Sequence, residues 1–367
     1  MPFSDFHGNP EIVRQLGEML ERDRFPHAVL LAGAQGAGKY TLALMLAQAM
    51  NCLQPLKTEN LPDYCGVCSN CQRIAQALDL ETRCSEAVEA REAMRDADKR
   101  DTRIFVQTHP DVLVVPPDPP QMMIKVDQVR HVINTIHYKP AEGRRRVFIF
   151  TDSAFIKEAA NALLKVLEEP PEYATIFLLA KNPGDLLPTI RSRCVPFRFV
   201  ALSPEEIEKD LARHRPEWNA NQRKLVARLS AGAVGMARSL DLAEYMESRR
   251  DALSLLNAAT QAGDHSMLFQ TTEAYRAGAD GKEKTDRLLR ALYSLLEDLL
   301  ALTSGMQEMV RNTDIAAELK SLAKTVDFQW ITQATQQLGQ VQSGMRRNVL
   351  RSLSLDAFAL SLERQGR

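Results

Sequence analysis

The chain has 367 residues, of which 46 are Lys or Arg and 47 are Asp or Glu, so its formal net charge is −1. That length is enough for two or three domains, each with a core of its own. The near-cancellation of charge excludes a global electrostatic attraction to nucleic acid or to an anionic membrane, so any contact with DNA must be local or shared with partners.

We expect a cytoplasmic protein with no membrane span. Residues 1–5 contain no cationic stretch followed by an apolar run, which a secretory signal requires. The apolar stretch at 291–300 is interrupted by Glu297 and Asp298 and is too short to cross a bilayer. Six cysteines in a cytosolic chain favour metal binding or ordinary burial over a disulfide framework.

A glycine-rich segment at 33–40 has the frame of a nucleotide phosphate loop. It follows an apolar run at 28–32, predicted as a buried strand, and precedes a predicted helix at 41–51. At such a turn backbone N–H groups converge on phosphate oxygens, and the lysine reaches the β and γ phosphates. The predicted nucleotide-binding residues here are Gly33, Gly36, Gly38, Lys39, Tyr40 and Thr41. The alternative is a glycine-rich turn that never meets phosphate.

Four cysteines follow this predicted helix with gaps of twelve, two and two residues: Cys52, Cys65, Cys68 and Cys71. A two-residue gap lets a tight turn bring both sulfur atoms onto one ion, and four thiolates close a tetrahedral Zn²⁺ site with no open position for catalysis. We therefore predict a structural zinc module at 52–71, against the alternative of free cysteines or a redox pair. Cys84 and Cys194 are predicted not to be ligands.

Five short apolar runs alternate with helical patterns, which predicts an α/β domain with a five-stranded parallel sheet and helices on both faces. The predicted strands are 28–32, 111–115, 147–150, 175–180 and 196–200. A charged segment at 81–103 is predicted as an exposed helix inserted in this domain. From Ser203, a predicted helix N-cap followed by Pro204, the pattern is helical to the end of the chain.

The acids that a hydrolytic phosphate-loop site needs are missing at the expected place. The strand that ends at Phe150 should end in Asp-Glu, which hold Mg²⁺ and polarise the attacking water, but Phe150 and Thr151 stand there. Asp152 comes late, so the alternation of side chains aims it elsewhere. Tyr40 replaces the Ser or Thr that binds Mg²⁺, and Thr41 is about 100° further around the helix. Binding of ATP or ADP with Mg²⁺ stays open, and hydrolysis is expected to be absent or weak.

Together these motifs resemble the bacterial clamp-loader subunits of the AAA+ superfamily. They are the phosphate loop, the cysteine series after its helix, the string Asn161-Ala162-Leu163-Leu164-Lys165-Val166-Leu167-Glu168-Glu169-Pro170-Pro171 and the triplet Ser192-Arg193-Cys194. The resemblance covers 3–240 and is specific, since no single motif carries it. It implies a RecA-like domain at 1–202, a small helical lid at 203–245 and an all-α collar at 246–367.

Within that family the resemblance favours the delta-prime branch. Motor subunits of the tau/gamma type carry Thr after the phosphate-loop lysine and a strand ending in Asp-Glu, whereas delta-prime subunits tolerate the loss of both. The sequence Thr108-His109-Pro110-Asp111-Val112 and the stretch 124–130 also look like delta-prime. The alternative is an active tau/gamma-type ATPase, in which Thr41 and Asp152 have taken over the Mg²⁺ chemistry.

The resemblance also implies roles for three further residues. Arg193 matches the arginine finger that reaches into the ATP site of a neighbouring subunit, where its fixed positive charge stabilises the γ-phosphate in transfer. Asn182 lies near the sensor-1 position, and Arg238 matches the sensor-2 turn that faces the chain's own nucleotide. For both arginines the alternative is a residue with no role in nucleotide chemistry.

The implied partners are tau/gamma and delta clamp-loader subunits in a hetero-pentameric ring, with the sliding clamp and primer–template DNA contacted through the complex. Leucines at helical spacing over 286–302 are consistent with a collar helix. A third hypothesis, nucleic-acid binding through the cysteine knuckle, needs basic and aromatic residues around it, and 54–72 offers Lys57, Tyr64 and little else.

Overall fold

The computed structural model describes residues 3–58, 61–260, 266–273, 275, 279–345 and 351–363. The chain divides into two compact units. The first is Met1–Ser203 with Gly232–Met236, and the second is Pro204–Ala231 with Ala237–Arg367. The boundaries predicted after residues 202 and 245 stay predictions, and residues 1, 2 and 364–367 of the predicted domains lie outside the described residues.

A six-stranded sheet with strand order β4-β5-β6-β7-β1-β8 forms the centre of the first unit. Its strands are β1 (Ala28–Ala32), β4 (Val106–His109), β5 (Val112–Val115), β6 (Arg146–Phe150), β7 (Ala174–Ala180) and β8 (Val195–Arg198), and β2 (Leu56–Thr58) and β3 (Leu61–Asp63) form a separate antiparallel pair. Neighbouring strands of the large sheet run parallel, except that β4 is antiparallel to β5.

The prediction of five parallel strands is therefore wrong, because the sheet has six strands and is mixed. The additional strand, β4, has the sequence Val-Gln-Thr-His, and only its first residue is apolar. Gln107 is exposed and His109 is buried. Strand prediction relies on apolar runs or on apolar–polar alternation, and this strand offers neither.

The two faces of the sheet bury separate cores, as the period of two along a strand requires. Val29, Leu31 and Ile149 face one core. Leu30, Phe148 and Phe150 face the other. The first core is covered by α1 (Pro10–Glu21), α2 (Lys39–Asn51) and α3 (Ser69–Ala75), and the second by α6 (Val126–Ile136), α7 (Lys157–Glu168) and α8 (Pro188–Arg191). The predicted coverage of both faces is confirmed.

The charged segment forms two helices, α4 (Leu80–Glu92) and α5 (Asp96–Asp101). Their described side chains are mostly exposed or half-buried, as predicted, with one exception. Arg91 is buried and donates to the buried carboxylate of Asp118 at 2.9 Å. Since a buried charge requires a partner, this ion pair anchors α4 to the loop that follows β5.

Beyond Arg198, every regular element in the described part of the chain is helical, which confirms the prediction for this region. The helices are α9 (Pro204–His214), α10 (Ala220–Leu229), α11 (Val234–Ser239), α12 (Leu242–Thr260), α13 (Ser266–Glu273), α14 (Ala279–Thr303), α15 (Ala316–Leu322), α16 (Phe328–Met345) and α17 (Arg351–Glu363). Leucines of α12 and α14 share the core of the second unit with α16 and α17. Among the described helices, none combines the length and the apolar character needed to cross a membrane.

Candidate functional site

The phosphate loop lies between β1 and α2, as predicted. The Gly33 N–H donates to the Ala180 carbonyl at the end of β7, and Gly38 is the N-cap of α2. Gly36 has φ +77°, and a Cβ there would lie 2.7 Å from the backbone nitrogen of Met236. The Gly235 N–H donates to the Gly36 carbonyl at 2.8 Å. Only glycine fits at position 36, because both its backbone conformation and its neighbours exclude a side chain.

Lys39 is held by the loop itself. Its Nζ donates to the carbonyl oxygens of Gly33 and Ala34, each at 2.6 Å. Burial lowers the pKa of Lys39 to about 8, the positive charge of Lys181 adds to this effect, and Asp152 opposes it. The ammonium therefore stands at the loop where a phosphate would be met, with an acid close enough to influence it.

The Tyr40 hydroxyl is bonded within the protein and not directed at the expected metal position. The phenol donates to the Ala77 carbonyl at 2.6 Å, in the segment that follows α3, and burial raises its pKa. Thr41 lies half-buried in the first turn of α2. At the end of β6, Phe150 is fully buried, and Asp152 accepts the Ala154 N–H at 2.8 Å. The side chains at the expected Mg²⁺ positions are thus used for packing and turn formation.

The four predicted cysteine ligands come together, which confirms that they form one cluster. Their sulfur atoms all lie within 4.8 Å of one another. Cys52 Sγ is 3.5 Å from Cys65 Sγ and 4.0 Å from Cys68 Sγ. A tetrahedron with metal–sulfur arms of about 2.3 Å has edges of about 3.8 Å, so these sulfur atoms match the size of a zinc site. Backbone N–H groups of Cys65 and Cys68 point at Sγ atoms of the cluster, each at 3.3 Å.

Three polar side chains, whose contacts the sequence did not reveal, link this cluster to the rest of the domain. The buried Gln48 amide donates to the Cys71 carbonyl at 2.9 Å, and Asn70 donates to the Asn51 carbonyl at 3.0 Å. The Arg144 guanidinium donates to three carbonyls at the C-terminal end of α2, where a positive charge is favourable. The available signal was the presence of two amides, Gln48 and Asn51, in the otherwise apolar part of α2 at 42–51.

Asp111, at the start of the predicted strand 111–115, is a second buried anchor. Its carboxylate accepts the backbone N–H groups of Ala141, Glu142 and Gly143 at 2.7 to 2.9 Å. Burial alone would raise the pKa of Asp111, but these three donations hold it below its usual value. The carboxylate fixes the chain just before β6, and no pattern within the sequence identifies the three amides it binds.

Arg193 lies on the surface, just after α8 and just before the edge strand β8. Its Nη1 donates to the Thr189 carbonyl at 2.8 Å, and its Nη2 donates to Glu168 Oε1 at 2.6 Å. The neighbouring Cys194 is buried, and burial raises its pKa to about 12. Ser192 and Arg193 are both exposed, and about a third of the Arg193 side chain is accessible to solvent beside its bond to Glu168.

The structure gives Asn182 and Arg238 partners close to them in their own units. Asn182 follows β7, is exposed, and accepts the Gly184 N–H at 2.9 Å in a capped turn. Arg238 makes two hydrogen bonds to Asp210, at 2.7 and 2.5 Å, and Asp210 is buried. The pairing of Arg238 with Asp210 was not foreseen, because the two residues are 28 positions apart and lie on separate helices.

Two family models match this chain. One, described as DNA polymerase III, delta subunit, matches residues 8–203, and the other, described as DNA polymerase III, delta subunit, C terminal, matches residues 243–363. The first alone covers more than half of the chain. The chain therefore belongs to the DNA polymerase III delta subunit family.

Individual relatives differ in how much of their length is shared. The chain is 30% identical to DNA polymerase III subunit tau of Escherichia coli over 74% of this chain and 35% of tau. It is 26% identical to the delta-prime subunit of Bacillus subtilis over 93% of this chain and 92% of that protein. With the delta-prime subunit of E. coli it shares 28% identity over 81% of this chain and 76% of that protein. The chain thus spans about a third of the tau subunit but most of each delta-prime subunit.

Proposed function

We propose that this chain is the delta-prime subunit of a bacterial DNA polymerase III clamp loader. In this proposal it works in the cytoplasm in a hetero-pentameric ring with tau/gamma and delta subunits, and helps load the sliding clamp onto primed DNA. The observation that carries the proposal is coverage: the match extends over 92% of the B. subtilis delta-prime subunit but over only 35% of E. coli tau.

The chain's own ATP hydrolysis is proposed to be absent or weak. Two observations support this. The Tyr40 hydroxyl, at the position of the Mg²⁺-binding hydroxyl, is donated to the Ala77 carbonyl. Phe150, at the position of an acid, is buried in the sheet's core. Without a hydroxyl and an acid at the metal, the two oxygen ligands that usually hold Mg²⁺ are lost together.

An active tau/gamma-type ATPase is the second candidate, because Asp152 is close enough to Lys39 to oppose the lowering of its pKa. The test is steady-state ATPase of the isolated chain, with and without Lys39→Ala. Turnover that this substitution abolishes would favour the second candidate. A rate at background level that the substitution does not change is the expected result.

Arg193 is proposed to be the arginine finger for a neighbouring ATPase subunit. Its accessibility and its position beside the edge strand support this role. An arginine finger raises the rate at the site it serves by about 10³- to 10⁵-fold, so Arg193→Ala should lower the ATPase of that one site by a factor in that range. The measurement is clamp- and DNA-stimulated ATPase of the reconstituted complex. Nucleotide binding by the isolated variant is the control and should be unchanged.

The cluster of Cys52, Cys65, Cys68 and Cys71 is proposed to hold structural Zn²⁺. Four thiolates leave no coordination position for a substrate, so the ion would hold the fold of this segment and supply no chemistry. The lid at 203–245 and the collar at 246–367 are also part of the proposal. Deletion of the chain after Arg250 should abolish ring assembly, and a truncated chain that still co-elutes with its partners would contradict the collar assignment.

A further inference from the structure

The guanidinium group of Arg193 donates hydrogen bonds to residues of two helices, α7 and α8. Nη2 donates to Glu168 Oε1 at 2.6 Å, and Nη1 donates to the Thr189 carbonyl at 2.8 Å. Glu168 is the last residue of α7, and Thr189 belongs to α8. The side chain of Arg193 is 34% exposed and that of Glu168 is 51% exposed, so the pair lies where another chain can reach it.

We propose that Glu168 is a positioning residue that holds Arg193 ready to act on a nucleotide bound by a neighbouring subunit. This inference rests on the proposed arginine-finger function. A free arginine side chain samples many rotamers, and fixing it in advance removes an ordering penalty from the step in which it meets phosphate. The two bonds engage two of the five guanidinium N–H donors, which leaves the other donors for phosphate oxygens.

Both anchors are fixed by burial of their neighbours. On α7, Val166 and Leu167 are buried in the core on the second face of the sheet, and Pro170 prevents the helix from continuing. On α8, Ile190 is fully buried next to Thr189. The backbone positions that carry both acceptors are therefore fixed, and an ionised carboxylate makes the stronger type of hydrogen bond.

The adjacent acid provides a matched comparison. Glu169 has the same side chain and is also exposed, but it lies beyond the end of α7 and its backbone is not helical (φ −131°). Glu168, by contrast, is the acid that Arg193 contacts. Because exposed ion pairs are weak and water competes for both charges, the contribution of Glu168 to the rate should be a factor of about two to five.

The test uses the reconstituted complex with clamp and primed DNA, measuring kcat and KM for ATP. Glu168→Gln should lower kcat about two- to fivefold with KM unchanged, Glu168→Asp should recover part of the rate, and Glu169→Gln should match the parent chain. In an Arg193→Ala background, Glu168→Gln should have no further effect, since the carboxylate acts through that arginine. The thermal midpoint of each variant chain verifies that it is folded.

Three outcomes would overturn the inference. The first is an unchanged or increased kcat for Glu168→Gln in a complex whose rate Arg193→Ala lowers, and this outcome leaves the arginine-finger function standing. The second is an effect of Glu168→Gln that is as large without Arg193 as with it. The third is a rate that Arg193→Ala itself does not change, and this outcome removes the arginine-finger function and the inference together.

Discussion

Helix α2 has a candidate site at each end, and the two sites differ in whether the residues expected to bind a metal lie together. At its C-terminal end, Cys52 joins three other cysteines in a cluster whose sulfur spacing suits a metal. At its N-terminal end the phosphate loop keeps its glycines and lysine, but Tyr40 is turned to the Ala77 carbonyl. The residues expected of a metal site have converged, and those expected of a hydrolytic site have not.

The two sites differ in how far apart along the chain their required residues lie. Three of the four cysteines lie within seven residues, so one short turn brings their sulfur atoms together. Hydrolysis needs a hydroxyl from the start of α2 and acids from the end of β6 at the same ion. With Tyr40 and Phe150 at those two places, neither position provides the hydroxyl or the acid that hydrolysis needs at the ion.

Removal of the cluster should give the largest effect. Structural zinc contributes on the order of 10 kcal/mol of apparent free energy to the small folds that depend on it. We expect about one equivalent of zinc per chain, loss of that metal in Cys71→Ser, and a lower thermal midpoint in the variant and in chelated parent protein. Metal analysis and thermal unfolding measure this. Cys84→Ser is the control and should keep its metal. Parent protein purified without any bound metal would refute the zinc assignment.

Substitution of glycine by alanine should destabilise the phosphate loop much more than the segment with the cysteine cluster. Gly36 in the loop and Gly66 in the knuckle both have positive φ, +77° and +72°. A Cβ on Gly36 would meet the Met236 backbone nitrogen at 2.7 Å, whereas a Cβ on Gly66 has no atom within 4 Å. Gly36→Ala should therefore lower the free energy of unfolding by about 3 kcal/mol, and Gly66→Ala by about 1 kcal/mol. Equal losses in urea denaturation would contradict the close packing on the loop.

Tyr40→Phe tests whether the displaced hydroxyl is structural. The substitution leaves the Ala77 carbonyl without its donor, so the free energy of unfolding should fall by about 1–2 kcal/mol. The ATPase activity of the isolated chain should not change. Tyr138→Phe is the matched control, because Tyr138 is exposed, and its stability should stay within about 0.5 kcal/mol of the parent chain. A fully stable Tyr40→Phe would show that the contact with Ala77 contributes nothing.

The smallest effect concerns the pH dependence caused by Lys39. Burial lowers its pKa in the folded chain to about 8, below the ordinary value of 10.5. Between these values the unfolded chain binds more protons, so the free energy of unfolding should rise with pH, and the penalty is fully present below about pH 8. Because water still reaches part of the group, the rise should be on the order of 1 kcal/mol.

The measurement is the difference in stability between the parent chain and Lys39→Met, followed from pH 8 to 10.5. Subtracting the variant removes the titration of all other groups. Lys165→Met is the control, because Lys165 is exposed on α7, and the corresponding difference should be flat. If the stability difference between the parent chain and Lys39→Met also does not change with pH, burial does not lower the pKa of Lys39.

Much of the fold followed from sequence patterns, and the exceptions have a common cause. The runs at 28–32 and 175–180 are apolar throughout, so they were recognisable as buried strands, and the structure has them as β1 and β7. Strand β4 was missed, because its buried His109 and half-buried Thr108 are polar. Where burial falls on polar residues, hydropathy no longer reports it.

The sequence by itself determined which residues share an element. The spacing of Cys65, Cys68 and Cys71 predicted that their sulfur atoms lie close together, and the glycines predicted a loop between β1 and α2. The identities of Tyr40 and Phe150 predicted that two ligands of Mg²⁺ are missing. Tertiary structure alone decided the new partners: Ala77 for Tyr40, Asp210 for Arg238 and Glu168 for Arg193. The reason is physical. Spacing along the chain is fixed by local geometry, whereas a hydrogen bond between residues 25 or more positions apart depends on how whole elements pack.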